Sequence, residues 1–143
     1  MSEFNPMFLI AVPQLGDPNF AHSVVLILHH GSDGAFGLVV NSPTPITLEA
    51  FTQSQNLNCH PELKSTPVFR GGPVEPQRGW VLHSDESVSD RKEILPGLFI
   101  SGTPEALQKL LENGKKPLRF LLGSAGWAAS QLEQEMAQGA WIT

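Results

Sequence analysis

Short apolar runs of strand length recur along the chain, and each is ended by glycine, proline or a polar turn. Runs at 7–12, 24–30 and 35–41 predict three strands, and the turn chemistry at 31–34 (GSDG) predicts that the last two form a hairpin. The prolines at 42–45 (SPTP) are expected to end the third strand. Further strands are predicted at 68–70, 79–84 and 118–122, with a broken strand, or one starting at Leu98, within 94–101.

Three helices are predicted from capping residues and apolar spacing. Thr47 can cap a helix to about residue 57, and Thr103 with Pro104 can start one over 104–113 that ends at Gly114. The third helix is predicted over about 127–138. Strands outnumber helices and do not alternate with them regularly, so we expect one α+β domain over 1–143 with a mixed or antiparallel sheet.

Charge distribution argues against nucleic acid as a direct partner. The formal net charge is -5, and residues 1–63 contain no Lys or Arg. The small basic cluster formed by Lys109, Lys115, Lys116 and Arg119 is typical of a solvated helix end. A start without basic residues is not a secretory or transit signal, the apolar run at 7–12 is too short to span a bilayer, and Cys59 is the single cysteine. We therefore expect a cytoplasmic protein without a membrane partner.

Histidine spacing does not indicate a metal site, and we expect no metal and no cofactor. His29 and His30 are neighbours on a predicted strand, so their side chains leave opposite faces. His22, His60 and His83 show no ligand spacing.

Two glycine-rich segments are the candidate binding elements. Gly71, Gly72 and Pro73 follow Arg70, and this run suits either a sheet corner or a loop that offers backbone N–H groups to a carboxylate or phosphate. Residues 123–126 (GSAG) suit a turn between a strand and a helix, which either holds an anion or lets the backbone pass close to Trp127. We predict that the two segments lie close together and border a common groove.

Four stretches, read together, resemble the YqgE/AlgH family of bacterial proteins. They are DPNF at 17–20 with SVV at 23–25, GAFGLVVN at 34–41 with Pro43, VFRGGPV at 68–74 with Gly79 and LH at 82–83, and GW at 126–127 through QLEQE at 131–135 to AW at 140–141. The resemblance implies a bifurcated, barrel-like mixed β-sheet flanked by helices. The family takes its name from a proposed transcriptional regulator of alginate production. That name does not establish a biochemical activity, so the resemblance implies no particular chemistry. Ser130 replaces the usual glycine, and the chain ends at Thr143, where relatives commonly continue.

Three functions compete on these observations. The first is a non-catalytic binding or regulatory module with a protein or small-molecule partner. The second is an enzyme acting on a small anionic substrate near the GGPV loop, with His83 as acid/base, Arg70 as anion clamp and Glu133 as orienting group. Direct DNA binding is the weakest. The candidate groove comprises Arg70, Gly71, Gly72, Pro73, His83, Gly126, Trp127, Gln131 and Glu133.

The apolar C-terminus, Ala140-Trp141-Ile142, suggests a second kind of partner. Trp141 either folds back into the core or leaves an apolar sheet edge that pairs with a second copy of the chain.

Overall fold

The computed structural model describes residues 7–11, 23–139 and 141–142. They form two compact units, of which the first takes its residues from Met1–Ser42, Arg70–Pro76 and Gly123–Thr143, and the second from Pro43–Phe69 and Gln77–Leu122. The strands of both units pair in antiparallel fashion, and three helices accompany them. The expected α+β class is confirmed.

The first unit is built on a sheet that begins at the C-terminal strand. Its strands are β1 (Met7–Ala11), β2 (Val24–Gly31), β3 (Gly34–Val39), the end of β9 (Leu118–Trp127) and β10 (Trp141–Ile142), in the order β10-β1-β2-β3-β9. The predicted hairpin of β2 and β3 is confirmed, with Gly31 opposite Gly34. Helix α3 (Gln131–Ala137) contributes Leu132 to a core that includes Val25, Ile27, Val39, Trp127 and Trp141.

The second unit carries the other two helices. Its strands are β4 (Pro43–Thr47), β5 (Pro67–Arg70), most of β6 (Val74–His83), β7 (Lys92–Leu95), β8 (Leu98–Ser101) and the start of β9, with β9, β6, β8 and β7 in that order. β5 pairs with both β4 and β9. Helices α1 (Leu48–Ser54) and α2 (Pro104–Asn113) cover a core of nine buried residues: Leu48, Leu63, Val68, Val81, Val88, Ala106, Leu110, Leu111 and Phe120.

Helix α2 forms where its capping residues predict it. Thr103 Oγ1 accepts the Ala106 N–H at 3.3 Å, and Gly114 adopts the left-handed conformation at φ 68° beyond the last turn. Thr47 caps α1 in the same way, accepting the Ala50 N–H at 3.2 Å. Both predicted caps are confirmed, although α1 ends earlier than expected.

The structure differs from the predicted elements at three places, each beside prolines or glycines. The third strand ends before the prolines as expected, at Val39, but residues 43–47 then form a strand, β4, that was not predicted. Its two prolines are tolerated because, among the described strands, β4 pairs only with β5, and its register is irregular between Pro43 and Thr47. The predicted turn at 123–126 is part of β9, so Trp127 ends a strand and does not start a helix. The strand predicted over 79–84 starts earlier, because β6 already begins at Val74.

Ser130 stands directly before α3 in a conformation that glycine adopts more easily. Its φ of 68° lies in the left-handed region, and its side chain makes no capping hydrogen bond. This geometry gives a physical reason for the glycine that the resembling family usually has at this position.

Candidate functional site

The two candidate glycine segments do lie together, in the first unit. A Cβ atom on Gly71 would lie 2.2 Å from the Gly123 carbonyl oxygen, and one on Gly72 would lie 2.2 Å from the Ser124 oxygen. Gly72 also has a φ of +151°, which L side chains rarely adopt. The consecutive glycines of the GGPV segment (Gly71–Val74) therefore let two backbones touch where any side chain would separate them.

This close approach favours the sheet-corner interpretation of the GGPV segment. Gly71 and Gly72 are buried, and the Gly71 carbonyl accepts the Val39 N–H at 2.8 Å. Arg70 and Pro73 are exposed, as is Gly126 on β9. The glycines are thus accounted for by packing alone, while a ligand groove over the exposed residues stays a prediction.

Trp127 and Gln131 belong to a hydrogen-bond network around Glu135. Glu135 Oε1 accepts the indole N–H groups of Trp127 at 3.0 Å and Trp141 at 2.8 Å. Its Oε2 accepts from Gln131 Nε2 at 3.0 Å, and Gln131 Oε1 in turn accepts the Ala128 N–H at 2.9 Å. The two indole rings meet edge to face with centroids 5.9 Å apart. One carboxylate thereby ties α3 to the ends of β9 and β10.

The side chain of Trp141, near the C-terminus, is buried. Its exposed fraction is 3%, so this tryptophan packs into the core of its own unit and is not an exposed apolar patch. Self-association through the β10 edge stays a prediction.

Glu133 pairs with His30 at the surface of the first unit. His30 Nε2 lies 2.6 Å from Glu133 Oε1, and this hydrogen bond lowers the pKa of Glu133 below its ordinary value. His29, the sequence neighbour of His30, contacts Asp33 at 3.0 Å instead, so the two histidines face different partners. Within the described parts of the chain, no three His, Cys, Asp or Glu side chains gather in a way that could hold a metal ion.

His83 lies in the second unit, where it is 1% exposed and both ring nitrogens have partners. Nδ1 accepts the Asp85 N–H at 3.0 Å, which places the proton of a neutral ring on Nε2. Nε2–H then donates to Ser101 Oγ at 2.8 Å, and the Ser101 hydroxyl donates to the Asp90 carbonyl. Because His83 donates to the serine, it cannot remove the serine proton in this arrangement. His83 and Ser101 lie as close together as a catalytic base and its nucleophile would. The proton, however, is donated by the histidine to the serine and not the reverse.

Electrostatics around His83 keep the ring neutral. Burial lowers the pKa of His83 below its ordinary value, an effect that nearby Asp85 opposes. Hydrogen bonds from the Ser87 hydroxyl at 2.6 Å and its N–H at 2.9 Å, joined by Asn113 Nδ2 at 3.0 Å, lower the pKa of Asp85 to about 2. The sequence analysis did not single out Ser101. The feature that could have indicated it is a hydroxyl side chain at the end of the otherwise apolar strand LFIS.

A cleft in the second unit was not predicted from the sequence. It has a volume of about 550 Å³ and lies between α1, β6 and the start of α2; we call it the α1–α2 cleft. Phe51 and Phe120 pack in its floor with ring centroids 4.9 Å apart. Its lining residues are Phe51, Gln55, Leu57, Gln77, Arg78, Gly79, Gly102, Thr103, Pro104, Leu107, Gln108, Leu111 and Phe120.

Two glycines shape this cleft. Gly79 lies on the same face of β6 as buried Val81, and a Cβ there would lie 3.0 Å from Phe120 Cζ and 3.2 Å from Leu107 Cδ1. A Cβ on Gly102 would lie 2.8 Å from the ring of Trp80. Without these side chains, the aromatic rings pack directly on backbone and the space beside them stays open. The run Arg78-Gly79-Trp80 was the available sequence signal.

Comparison with known proteins decides the family. The model of the family described as "DUF179: AlgH-like" matches residues 8–143. The chain belongs to the AlgH-like family. A relative named UPF0301 protein in Myxococcus xanthus is 50% identical over 99% of this chain and 78% of its own, and one in Thioalkalivibrio sulfidiphilus is 41% identical over 99% and 77%.

Solved structures of similar proteins agree. The solution structure of the AlgH protein from Pseudomonas aeruginosa matches with a TM-score of 0.74 and 35% identity, covering 99% of this chain and 79% of that one. A crystal structure from Corynebacterium diphtheriae, 24% identical, matches with a TM-score of 0.72 over 99% of this chain and 75% of that one, which shows the fold alone.

The segments that carry the AlgH-like resemblance now have structural roles. GGPV and GSAG bring two backbones into contact, and the run from Gln131 to Glu135 with Trp127 and Trp141 builds the carboxylate network. Among the described residues, no helix has the length and apolar character to cross a membrane.

Proposed function

We propose that this AlgH-like chain is a non-catalytic binding module whose small-molecule ligand occupies the α1–α2 cleft. The observation that carries the proposal is the cleft itself, since its volume of about 550 Å³ falls within the roughly 300–1,000 Å³ of small-molecule sites. Its walls combine an apolar floor with a few polar side chains at the rim, which is the composition expected of a site that binds by shape and orients by hydrogen bonds.

Glutamines supply the polar rim. Gln55, Gln77 and Gln108 are exposed lining residues, and each carries both a donor and an acceptor. Leu107 and Leu111 face the cleft from α2, and Leu111 is fully buried. A ligand can therefore bury an apolar part without leaving its polar groups unpaired.

Regulation by ligand, and not by direct DNA contact, fits this picture best. A formal net charge of -5 gives little attraction to a phosphate backbone. A regulatory role for such a module would depend on a ligand-bound and a ligand-free form presenting different surfaces to a protein partner.

The enzymatic alternative has weaker support. Its base, His83, is buried and donates its Nε2 proton to Ser101, and its orienting group, Glu133, is hydrogen-bonded to His30. Arg70 remains an exposed cation beside the GGPV segment, and it is the one feature that favours a small anionic substrate there.

A metabolite screen by thermal shift, followed by NMR mapping, tests the proposal. Any ligand that binds the native state alone raises the melting temperature, and a chain of 15.5 kDa gives assignable amide spectra. We expect hits to shift the amide signals of Gly79, Gly102 and Leu107.

Two tryptophan variants provide the matched comparison. Gln108→Trp fills the cleft from its rim, whereas Gln53→Trp makes the same change at an exposed position of α1 outside the lining. Binding should be lost in the first variant and kept in the second. Hits that bind Gln108→Trp normally and shift signals elsewhere would show that the cleft is not the ligand site.

A further inference from the structure

We infer that residues 85–90, which we call the strap, form a pH-sensitive clamp on helix α2, and that the strap is released when His83 takes up a second ring proton. The start of α2 lines the α1–α2 cleft, so this release controls one wall of the cleft. The consequence for ligand binding rests on the proposed function, whereas the release itself can be measured without a ligand.

The strap begins at a hydrogen bond that only the neutral ring of His83 can accept. His83 is buried, and its Nδ1 accepts the Asp85 N–H at 3.0 Å. Its Nε2 already donates to Ser101 Oγ at 2.8 Å, and the ring packs beside Phe99 with centroids 5.8 Å apart. A second proton would have to bind at Nδ1, where it would face the Asp85 N–H as donor against donor. The protonated ring therefore cannot keep this bond, and the strap has to move away from it.

Hydrogen bonds hold the strap along the length of α2. They pair Asp85 Oδ2 with Asn113 Nδ2 at 3.0 Å, the Ser87 carbonyl with Lys109 Nζ at 2.9 Å, and Asp90 Oδ2 with the Thr103 N–H at 3.2 Å. Between these contacts, buried Val88 packs into the core of the second unit. The strap thus touches both ends of the helix and a turn between them, so its movement loosens α2 at its start.

The start of α2 forms one wall of the cleft. Thr103, Pro104 and Leu107 are lining residues, and the Leu107 N–H donates to the Thr103 carbonyl at 3.0 Å in the first turn. Asp90 supports this turn from the strap by accepting the Thr103 N–H. Without that acceptor, the first turn of α2 loses stability and opens more often. A ligand that contacts this wall favours the closed strap, so ligand and proton oppose each other's binding.

The charges around His83 set the direction of the pH response. Burial has the largest effect and lowers the pKa of His83; Asp85 opposes it, and Arg91 and Lys115 lower the pKa further. When the strap opens, the ring reaches water and regains its ordinary pKa of 6.5. The closed strap is therefore fully favoured above pH 6.5. Below that value, the equilibrium constant for opening rises by up to about tenfold for each pH unit.

Hydrogen exchange, followed by NMR on the unmodified protein from about pH 8 to about pH 5, is the first test. After correction for the intrinsic exchange rate, we expect the Thr103 and Leu107 amides to lose up to about tenfold in protection per pH unit below 6.5, and none above it. Their protection should also stay below that of Leu82, an amide in the central strand β6, because the strap opens without unfolding of the whole unit.

The strap carboxylates do not titrate in this range. Hydrogen bonds from Ser87 lower the pKa of Asp85 to about 2, and hydrogen bonds from Thr103 lower the pKa of Asp90 below its ordinary value. Both side chains therefore stay ionised throughout the experiment, and a response that begins near pH 6.5 has to come from a histidine.

A pair of histidine variants identifies which histidine is responsible. His83→Gln keeps a neutral side chain that can donate to Ser101 but cannot take up a proton, so the protection of Thr103 and Leu107 should no longer depend on pH. His60→Gln is the matched control, because His60 Nδ1 also accepts the N–H two residues later, from Glu62 at 3.1 Å, but does not touch the strap. This control should keep the pH dependence.

Protection of Thr103 and Leu107 that is constant from about pH 8 to about pH 5 would overturn the inference. The same conclusion follows if these amides are protected as strongly as Leu82, or if the pH dependence survives His83→Gln. The proposed function fails on a different result, namely screening hits that bind outside the cleft. Should His83→Gln fail to fold, the exchange measurements on the unmodified protein and on His60→Gln still decide the inference.

Discussion

Glu135 holds two tryptophans of the first unit, and its removal is the sharpest test of how the AlgH-like motif works. The Glu135→Ala variant deletes one oxygen that accepts both indole N–H groups, at 3.0 and 2.8 Å, and a second that accepts from Gln131. Trp127 and Trp141 are both buried. We therefore expect a loss of stability far larger than that of an ordinary surface substitution.

The expected magnitude follows from the two indole bonds. A hydrogen bond to a charged group contributes about 1.5–3 kcal/mol, and the lower end applies here because Glu135 is half-buried. Two such bonds give a destabilisation of about 3 kcal/mol, a large part of the roughly 5–15 kcal/mol that stabilises an ordinary domain. Glu135→Gln should lose less, because the amide oxygen can still accept from the indoles while its NH₂ group faces the donor of Gln131.

Urea unfolding followed by circular dichroism measures the change. Gln134→Ala is the control, since Gln134 is an exposed neighbour on the same helix and alanine suits a helix equally well in both variants. It should change the free energy of unfolding by no more than about 0.5 kcal/mol.

A double-mutant cycle with Trp141→Phe isolates one of the two bonds. Phenylalanine keeps the aromatic packing and removes the N–H donor, so the coupling energy with Glu135→Ala should be about 1.5 kcal/mol. A coupling near zero, or a Glu135→Ala variant as stable as its control, would refute the view that the carboxylate joins α3 to β9 and β10.

Four further results are expected. Gly71→Ala should destabilise the protein by about 3 kcal/mol or prevent folding, because its Cβ would lie 2.2 Å from the Gly123 oxygen; a normal urea midpoint would contradict this. Ser130→Gly should raise stability by about 0.5 kcal/mol by relieving a φ of 68°, and a lower midpoint would count against that reason. Acidification should lower stability in two steps. The first comes as the pH falls below 6.5, because unfolding lets His83 gain a proton that the fold resists. The second, of about 2 kcal/mol, comes between 3.8 and about 2 as Asp85 loses its hydrogen-bonded charge; a flat unfolding free energy over both ranges would refute it. No sequence-specific DNA affinity should appear at physiological salt, whereas sub-micromolar binding with a steep salt dependence would revive a direct regulator.

The sequence alone predicted those helices and turns whose ends are set by residues close to them in the chain. Helix α2 begins after Thr103 and ends before Gly114 as predicted, because an N-cap hydroxyl and a left-handed glycine act within one helical turn. The β2–β3 hairpin followed for the same reason, from a short turn between two apolar runs. The family resemblance could also be inferred, since it depends on the order of residues and not on their contacts.

Tertiary contacts decided what the glycines and polar residues do. Gly123 suggested a turn, yet it lies inside β9, where a Cβ would meet the Gly72 oxygen at 2.3 Å. Glycine permits both a turn and a close backbone approach, so its presence alone cannot distinguish them. The sequence likewise suggested His83 as an acid/base. In the structure, Nδ1 of His83 accepts the Asp85 N–H, so the ring proton lies on Nε2, which faces Ser101.

The α1–α2 cleft depended on the tertiary structure alone. Its floor joins Phe51 to Phe120, and its rim joins Arg78 to the start of α2, all residues far apart in the chain. A sequence specifies the side chains that can line such a space. The space itself exists because packed elements leave a gap between them, and that gap is a property of their three-dimensional arrangement.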